Sequence, residues 1–265
     1  MVVEIHSEKR EMDSKLHPID PGDPYVKFIL CYPKHDCEEF SSRVKELLDW
    51  GISNLVELGK NILGFRVLGK GYSSIATLAY RGCEKGFLKI RRLDSRRASL
   101  EFEGLILDFL DRFNIVPKPM FYSKNFVFME YLDDCIPIGE FIDKSQNNID
   151  YNSLIKTIAK TTYTLYIPDF YGINHSELSR PGDHIYICRN GVRIIDWESA
   201  TIKSKPNNVS SFISYLTNRP VVRRKLSNRV LDELIHALRM YKKTYSIKKL
   251  QSVVRILVES LQQPP

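Results

Sequence analysis

The chain alternates between short runs rich in β-branched and aromatic residues and longer stretches whose apolar residues recur at helical spacing. Residues 1 to about 24 are polar and carry Pro18, Pro21 and Pro24, which predicts a loosely ordered start. Tyr25-Val-Lys-Phe-Ile-Leu-Cys-Tyr32 predicts a strand from its β-branched and aromatic content. Asp36 then offers a cap for a helix from Cys37 to about Trp50, with Phe40, Val44, Leu47 and Leu48 on one face. Leu55–Leu58 and Leu63–Leu68 return to strand. From Leu68 to Tyr80 and on through Phe87–Ile90 the pattern is strand, tight glycine turn, strand, short loop, strand. A basic loop, residues 91–97, leads to a helix with Ser95 as its expected cap. Leu100, Leu107 and Leu110 are among its apolar positions, and it ends near Asn114, ahead of Pro117 and Pro119. Phe126–Leu132 is a buried strand, and Asp133-Asp134 breaks the pattern as a hinge would. The second half is richer in helix: Ile138–Lys144, Tyr151 to about Tyr166, and two or three amphipathic helices between Asn207 and Leu261. Within it, Ile185–Cys188 and Val192–Ile195 flank Arg189-Asn190-Gly191, and Asn-Gly between alternating apolar residues is a strong hairpin signal. The expected organisation is a β-α extension over residues 1–53, a sheet-rich part over 54–132 and a helical part over 133–265.

Composition narrows this picture. Apolar content of 43% and charged content of 27% are those of an ordinary soluble globular protein. No apolar run is long enough to span a bilayer, and the charged N-terminus lacks the apolar segment of a secretory signal. Five cysteines (31, 37, 83, 135, 188) are scattered, odd in number and without a CxxC pair. They predict free thiols in a reducing cytoplasm and no zinc site. The net charge of +7 is unevenly placed: Lys203 to the end carries +10 and the rest −3. That basic stretch is a solvated helical surface in the plain reading. In the sharper one it is a docking face for an acidic or nucleic-acid-containing partner. It shows no interleaved aromatics and no base-reading motif.

The glycine turn is the first chemical signal. Gly69 and Gly71 let a backbone approach a polyphosphate and aim amide groups at it. Lys89, alone in an apolar strand, can neutralise two neighbouring phosphates. The second signal is the polar loop 172–184, which the hairpin 185–195 brings back toward Asp196. Each residue has a plainer role open to it: a snorkelling strand lysine, a solvated helix glutamate, a turn-capping aspartate, a packed loop histidine. Their order along one chain is what argues for chemistry.

That order resembles the protein-kinase superfamily, most closely its compact atypical members, the RIO-type kinases and predicted archaeal Ser/Thr kinases. The resemblance covers about residues 64 to 215. It implies an α+β, two-lobed protein-kinase-like fold: a small antiparallel-sheet N-lobe with one helix, and a minimal helical C-lobe. It also implies that ATP is bound with Mg²⁺ or Mn²⁺. Gly69, Lys70, Gly71, Ser73 and Ser74 resemble the nucleotide loop, and Lys89 the lysine that holds α and β phosphates. Glu103, with Glu101 as its rival, is similar to the helix glutamate that orients this lysine. Met129 would back the adenine, and Glu130 and Leu132 would offer hinge backbone to its edge. His175-Ser-Glu177 stands where the family has His-x-Asp, so Glu177 would receive or orient the acceptor hydroxyl. Asp196-Trp-Glu198 stands where it has Asp-Phe-Gly, making Asp196 a metal ligand. Asp183 is favoured as the second ligand with His184 as the alternative, and Glu198 can add an oxygen.

Three departures are visible. Glu177 is one methylene longer than the usual aspartate, the metal-binding asparagine lacks a clear counterpart, and Glu198 replaces a glycine. No Ala-Pro-Glu follows, as in RIO-type kinases. The implied activity is ATP-dependent Ser/Thr protein phosphorylation, including self-phosphorylation, with Ser199, Thr201 and Ser204 within reach. The alternatives are a nucleotide-binding pseudokinase or slow ATPase docked on a ribonucleoprotein, and a small-molecule kinase. The central expectation is that Lys89 and Asp196 meet one triphosphate.

Overall fold

The computed structural model describes residues 14–144 and 150–263. It is an α+β protein whose strand pairs are antiparallel, and the chain divides into two compact units, Met1–Asp133 and Asp134–Pro265. Among the described residues no helix is long and apolar enough to cross a membrane.

The first unit is built on one sheet. Its elements are β1 (Lys15–Pro18), α1 (Pro24–Cys31), α2 (Phe40–Asp49), β2 (Ile52–Glu57), β3 (Lys60–Ile62), β4 (Phe65–Val67), β5 (Gly69–Lys70), β6 (Ser74–Arg81), β7 (Glu84–Arg91), α3 (Glu101–Asp111), β8 (Pro119–Tyr122) and β9 (Phe126–Glu130). The strands run in the order β1-β2-β6-β7-β9-β8, with β5 beside β2 on the same edge of β6, and β3–β4 form a separate hairpin. Strand alternation sorts β7 between two layers. Leu88 and Ile90 join the core that packs under α1 and α2, with Phe28, Leu47, Phe126 and Phe128. Lys89 points the other way, toward α3.

Two expectations fail here for physical reasons. Tyr25–Tyr32 is helix, not strand. Asp23 accepts from the N–H groups of Tyr25 (2.8 Å) and Val26 (3.1 Å), and Pro24 fills the first helical position, where a missing N–H costs nothing. Past the exposed Pro24 the helix is buried nearly all round, Lys27 being the partly exposed residue, so no amphipathic stripe distinguishes it from a buried strand. The extension is therefore two helices joined to the sheet rather than a β-α unit. Lys15–Pro18, expected to be loose, pairs with β2 as an edge strand; residues 1–13 lie outside the described residues. Arg43 of α2 is fully buried and ties the layers together, donating to Leu30 O (2.6 Å), Arg91 O (3.0 Å) and Glu39 Oε2.

The second unit comprises β10 (Ile136–Pro137), α4 (Ile138–Lys144), α5 (Tyr151–Phe170), β11 (Ile173–Asn174), β12 (Ile185–Cys188), β13 (Gly191–Ile194), β14 (Thr201–Ile202), α6 (Asn208–Thr217), α7 (Pro220–Arg223), α8 (Asn228–Thr244) and α9 (Ile247–Gln262). α5 is central, packing on α6 and α9; Leu154, Ile158 and Leu165 of α5, Phe212 of α6 and Leu257 of α9 are buried. The Asn-Gly hairpin forms as expected, with Ile185 opposite Ile194 and Cys188 opposite Gly191. The C-terminal stretch holds four helices instead of two or three, because Pro220 starts an extra turn at α7.

The cysteines are also not all free thiols. Cys31–Cys37 and Cys135–Cys188 are disulfides, and Cys83 is free and exposed. Spacing gave no sign of the second, 53 residues apart. The antiparallel register of β10 on β12 sets Ile136 opposite Ile187, which places Cys135 opposite Cys188 with Cα atoms 4.2 Å apart.

Candidate functional site

In the first unit the glycine turn joins β5 to β6. Gly69 pairs with Ala76 and Lys70 with Ile75, and Gly71 N–H donates to Ser74 O at 2.8 Å. Ser73 and Ser74 are fully buried, whereas Lys70 and Tyr72 are exposed at the tip. The turn is braced from outside. Arg92 donates its guanidinium to Gly71 O (2.7 Å) and its N–H to Ser73 O (2.9 Å). Arg92 and Lys70 both lie over the Tyr32 ring, at 5.3 and 5.4 Å from its centroid. The helical extension thus touches the turn, a link that the one-dimensional pattern did not carry.

Lys89 is 3% exposed and its Nζ lies 2.5 Å from Oε1 of Glu103, itself 2% exposed. Glu103, not Glu101, is the partner: Glu101 is exposed and shares hydrogen bonds with Ser99. Ser95 does not cap this helix: its Oγ accepts from Arg97 N–H, the N-cap is Leu100, and Ser99, just before it, accepts from Glu101 N–H. The next residue explains how the helix comes so close. A side chain at Gly104 would meet the Tyr122 ring at 2.2 Å, so glycine lets α3 lie directly on β8 and carries Glu103 into reach of β7. Met129 is buried on β9 and Leu132 is buried just past it. Glu130 is exposed, and its N–H donates to Lys118 O at 2.9 Å.

In the second unit, Glu177, His184 and Asp196 place one ligating atom each within 4.8 Å of one another. Three backbone devices make this possible. The loop after β11 carries Glu177, a 3₁₀ turn over Pro181–Asp183 turns His184 inward, and Asp196 takes a left-handed conformation (φ 66°, ψ 58°) as the chain leaves β13. Aspartate tolerates that conformation better than most residues. Trp197 then fixes the exit by donating its indole N–H to Ile194 O at 2.9 Å. Glu177 is one-third exposed. Its Oε1 accepts from Ser199 Oγ at 2.6 Å and its Oε2 lies 3.7 Å from His184 Nε2. His184 stands in the cluster while Asp183, the favoured alternative, is exposed on the 3₁₀ turn; Glu198 is buried on the turn after Asp196.

His175 is a structural residue of this loop. Its Nε2–H donates to Ile195 O (2.9 Å), which leaves Nδ1 to accept from Glu177 N–H (3.3 Å), and the ring packs edge-on against Trp197. Burial pushes its pKa down to about 4, so the imidazole is neutral near pH 7.

Beneath the loop lies a group that the sequence pattern did not reveal. Asp169 accepts from Asn208 N–H (2.9 Å), Asn208 Nδ2 (2.9 Å), Val209 N–H (3.2 Å) and Tyr241 Oη (2.9 Å). Asn208 Oδ1 in turn accepts from His175 N–H at 2.9 Å, and its amide donates to Ile173 O at 2.7 Å. Through Asn208 the ends of α5, α6 and α8 hold the Glu177 loop. The signal available in sequence was a lone carboxylate at a buried position of α5, just after Pro168.

The three-residue cluster offers two carboxylates and an imidazole. Carboxylates suit hard cations such as Mg²⁺, and an added imidazole suits Mn²⁺ at least as well. The first unit offers a desolvated ammonium beside a backbone turn, an arrangement suited to an anion. A comparison with protein-family models gives no match to this chain, and a comparison with curated proteins gives none either.

Proposed function

We propose that this chain is an ATP-dependent Ser/Thr phosphotransferase with a two-lobed, protein-kinase-like fold, similar to the compact RIO-type kinases. The observation that carries this reading is the Lys89–Glu103 pair: an ammonium held almost without solvent, on β7, the second strand after the glycine turn. Burying such a pair rarely stabilises a fold more than apolar packing would. Its value lies in presenting a fixed cation to an anionic ligand.

The division of labour follows from the chain's own groups. The turn from Gly69 to Ser74 covers the phosphates. Lys89 neutralises phosphate oxygens and is oriented by Glu103. Asp196 and His184, with Glu177 Oε2 beside them, form the donor set that fits a divalent cation. When bound, Mg²⁺ or Mn²⁺ supplies charge neutralisation to phosphate oxygens. Glu177 Oε1, which accepts a hydroxyl from Ser199, is the atom that takes or orients the proton of the acceptor hydroxyl. Met129, Glu130 and Leu132 contact the base. An acceptor on another protein or on Ser199, Thr201 or Ser204 of this chain fits the same chemistry.

The test is incubation of the full chain with γ-labelled ATP and either cation, followed by counting label in protein, in free phosphate and in added small alcohols. The expected result is label in protein, lost in both Lys89→Ala and Glu177→Ala, with Mn²⁺ at least as effective as Mg²⁺. Label in small alcohols instead of protein, phosphate release without labelled protein, or transfer that survives Lys89→Ala overturns it.

A further inference from the structure

The solvent face of α5 is chemically unlike the rest of the second unit. Taking 100° per residue, Lys156, Lys160, Tyr163, Tyr166 and Phe170 fall within one third of the helix circumference. The opposite side carries the buried residues Leu154, Ile158, Thr161, Leu165 and Pro168. The exposed stripe is therefore two lysines followed by a row of aromatic rings, and it contains no carboxylate; the helix's own acid, Asp169, is buried. Tyr171 extends the row past the helix end. Ring centroids are 5.7 Å apart from Tyr166 to Phe170 and 5.1 Å from Phe170 to Tyr171. Apolar packing does not account for three of them, since Phe170 is 57% exposed, Tyr171 44% and Tyr163 37%; Tyr166 is partly buried, its ring 6.5 Å from that of Tyr241. Surface aromatics in a row are uncommon without a partner.

Tertiary contacts bring further positive charge to the aromatic end. Lys203 N–H donates to Gly172 O at 2.8 Å, so the segment carrying exposed Lys203 and Lys205 lies beside Tyr171. The same segment is tied to the end of α8, where Tyr245 Oη donates to Pro206 O at 2.9 Å and Lys242 donates to Asn207 Oδ1. At the other end, Lys160 lies next to the β12–β13 turn with exposed Arg189, since a side chain placed at Gly191 would come within 3.8 Å of the Lys160 ammonium. The segment 201–207 has no acidic residue. A row of stackable rings is thus bracketed by cations at both ends, which fits a flexible polyanion with aromatic bases. Duplex DNA or RNA offers its charge but not its base faces, and an acidic peptide offers charge without rings.

We propose that this face of α5 binds single-stranded nucleic acid, with bases stacking on Tyr163, Tyr166, Phe170 and Tyr171 and phosphates meeting Lys156, Lys160, Lys203 and Lys205. The surface belongs to the second unit alone and is independent of whether the chain transfers phosphoryl groups.

The test is titration of the full chain with a fluorescent twelve-nucleotide oligouridylate at several salt concentrations. Binding weakens steeply with salt. Phe170→Ala and Tyr163→Ala each weaken it about tenfold or more, while Tyr163→Trp restores it. Removing Lys203 and Lys205 together lowers the salt slope by about 1.4, at roughly 0.7 per single-strand phosphate. All four positions are exposed, and unchanged thermal midpoints confirm intact folds. The proposal is overturned by any of three results: a flat salt response, aromatic variants that bind as the natural chain does, or a duplex or poly-glutamate competitor that displaces the probe as well as unlabelled oligouridylate. Lys248→Ala with Lys249→Ala, on α9, is the control expected to leave binding within twofold; a larger loss there than at Lys203 and Lys205 also overturns it.

Discussion

Two buried acids, one in each unit, are held in opposite ways. Glu103 faces a full positive charge, the Lys89 ammonium at 2.5 Å. Asp169 faces only neutral donors: two backbone amides, a side-chain amide and a phenol. The first arrangement keeps a charge pair where solvent is absent, and it is sensitive to loss of either member. The second spreads one carboxylate over three elements, and burial raises its pKa to about 6, so it can relieve its desolvation by taking a proton. In the proposed reading, the ion pair on β7 has a use beyond architecture. A neutral-donor cradle under a loop is architecture, and it fixes where Glu177 lies.

Breaking the charge pair gives the largest expected effect. Lys89→Ala leaves Glu103 buried without its cation and should cost about 3–5 kcal/mol of unfolding free energy. Lys89→Met with Glu103→Leu should recover most of it, since matched apolar replacement of a buried pair is often neutral. Chemical denaturation of the three proteins decides. Equal losses for single and double variants would mean that packing, not charge, is at stake.

The disulfides give a second contrast. In the chain-entropy picture, opening Cys135–Cys188, 53 residues apart, costs about 4 kcal/mol, against about 2 kcal/mol for Cys31–Cys37, 6 apart. Paired Cys→Ser variants followed by denaturant midpoints check the order, which should be the second unit first.

The third prediction concerns pH. Asp169 has a folded-state pKa above its unfolded value of 3.8. Its folded state therefore binds the proton more tightly. The stability that it contributes is fully present below about pH 3.8 and is lost as pH rises through about 6. Asp169→Asn removes this dependence. The stability of the natural chain relative to the variant should fall by about 3 kcal/mol between pH 3.8 and pH 7. Urea midpoints of both proteins across that range measure the difference, and other titrating groups cancel. A difference that grows with pH would show that the cradle holds the ionised form instead.

The smallest effect is expected at Ser199. Ser199→Ala removes one hydrogen bond to Glu177 and should cost about 1 kcal/mol. Any phosphotransfer should drop far less than in Glu177→Ala. Equal drops would make the hydroxyl itself, rather than the carboxylate, the acting group.

Much of the secondary structure could be read along the chain because it rests on local rules. The Asn-Gly hairpin, the strands around the glycine turn and the helices at 138–144 and from 151 follow from turn chemistry and periodicity. The Lys89–Glu103 pairing was within reach because Lys89 stands alone in an apolar strand and the family resemblance implies a glutamate partner on the next helix, with Glu101 as a rival to Glu103. α1 was misread because a short helix buried on all sides has no polar face to betray its period.

The amino-acid sequence by itself determined most of the order of strands and helices, β1, α1 and α7 excepted, and the residue types present at each candidate position, since those depend on neighbours a few residues away. Only tertiary structure decided that Glu103 and not Glu101 meets Lys89, that His184 joins Glu177 and Asp196, that Cys135 meets Cys188, and that Asp169 underpins the loop. It also set Lys203 and Lys205 beside the aromatic end of α5. Those juxtapositions lie beyond what local pattern fixes; they are set by sheet register, by the packing of α3 on β8 through Gly104, and by which carboxylates the interior can solvate with its own donors.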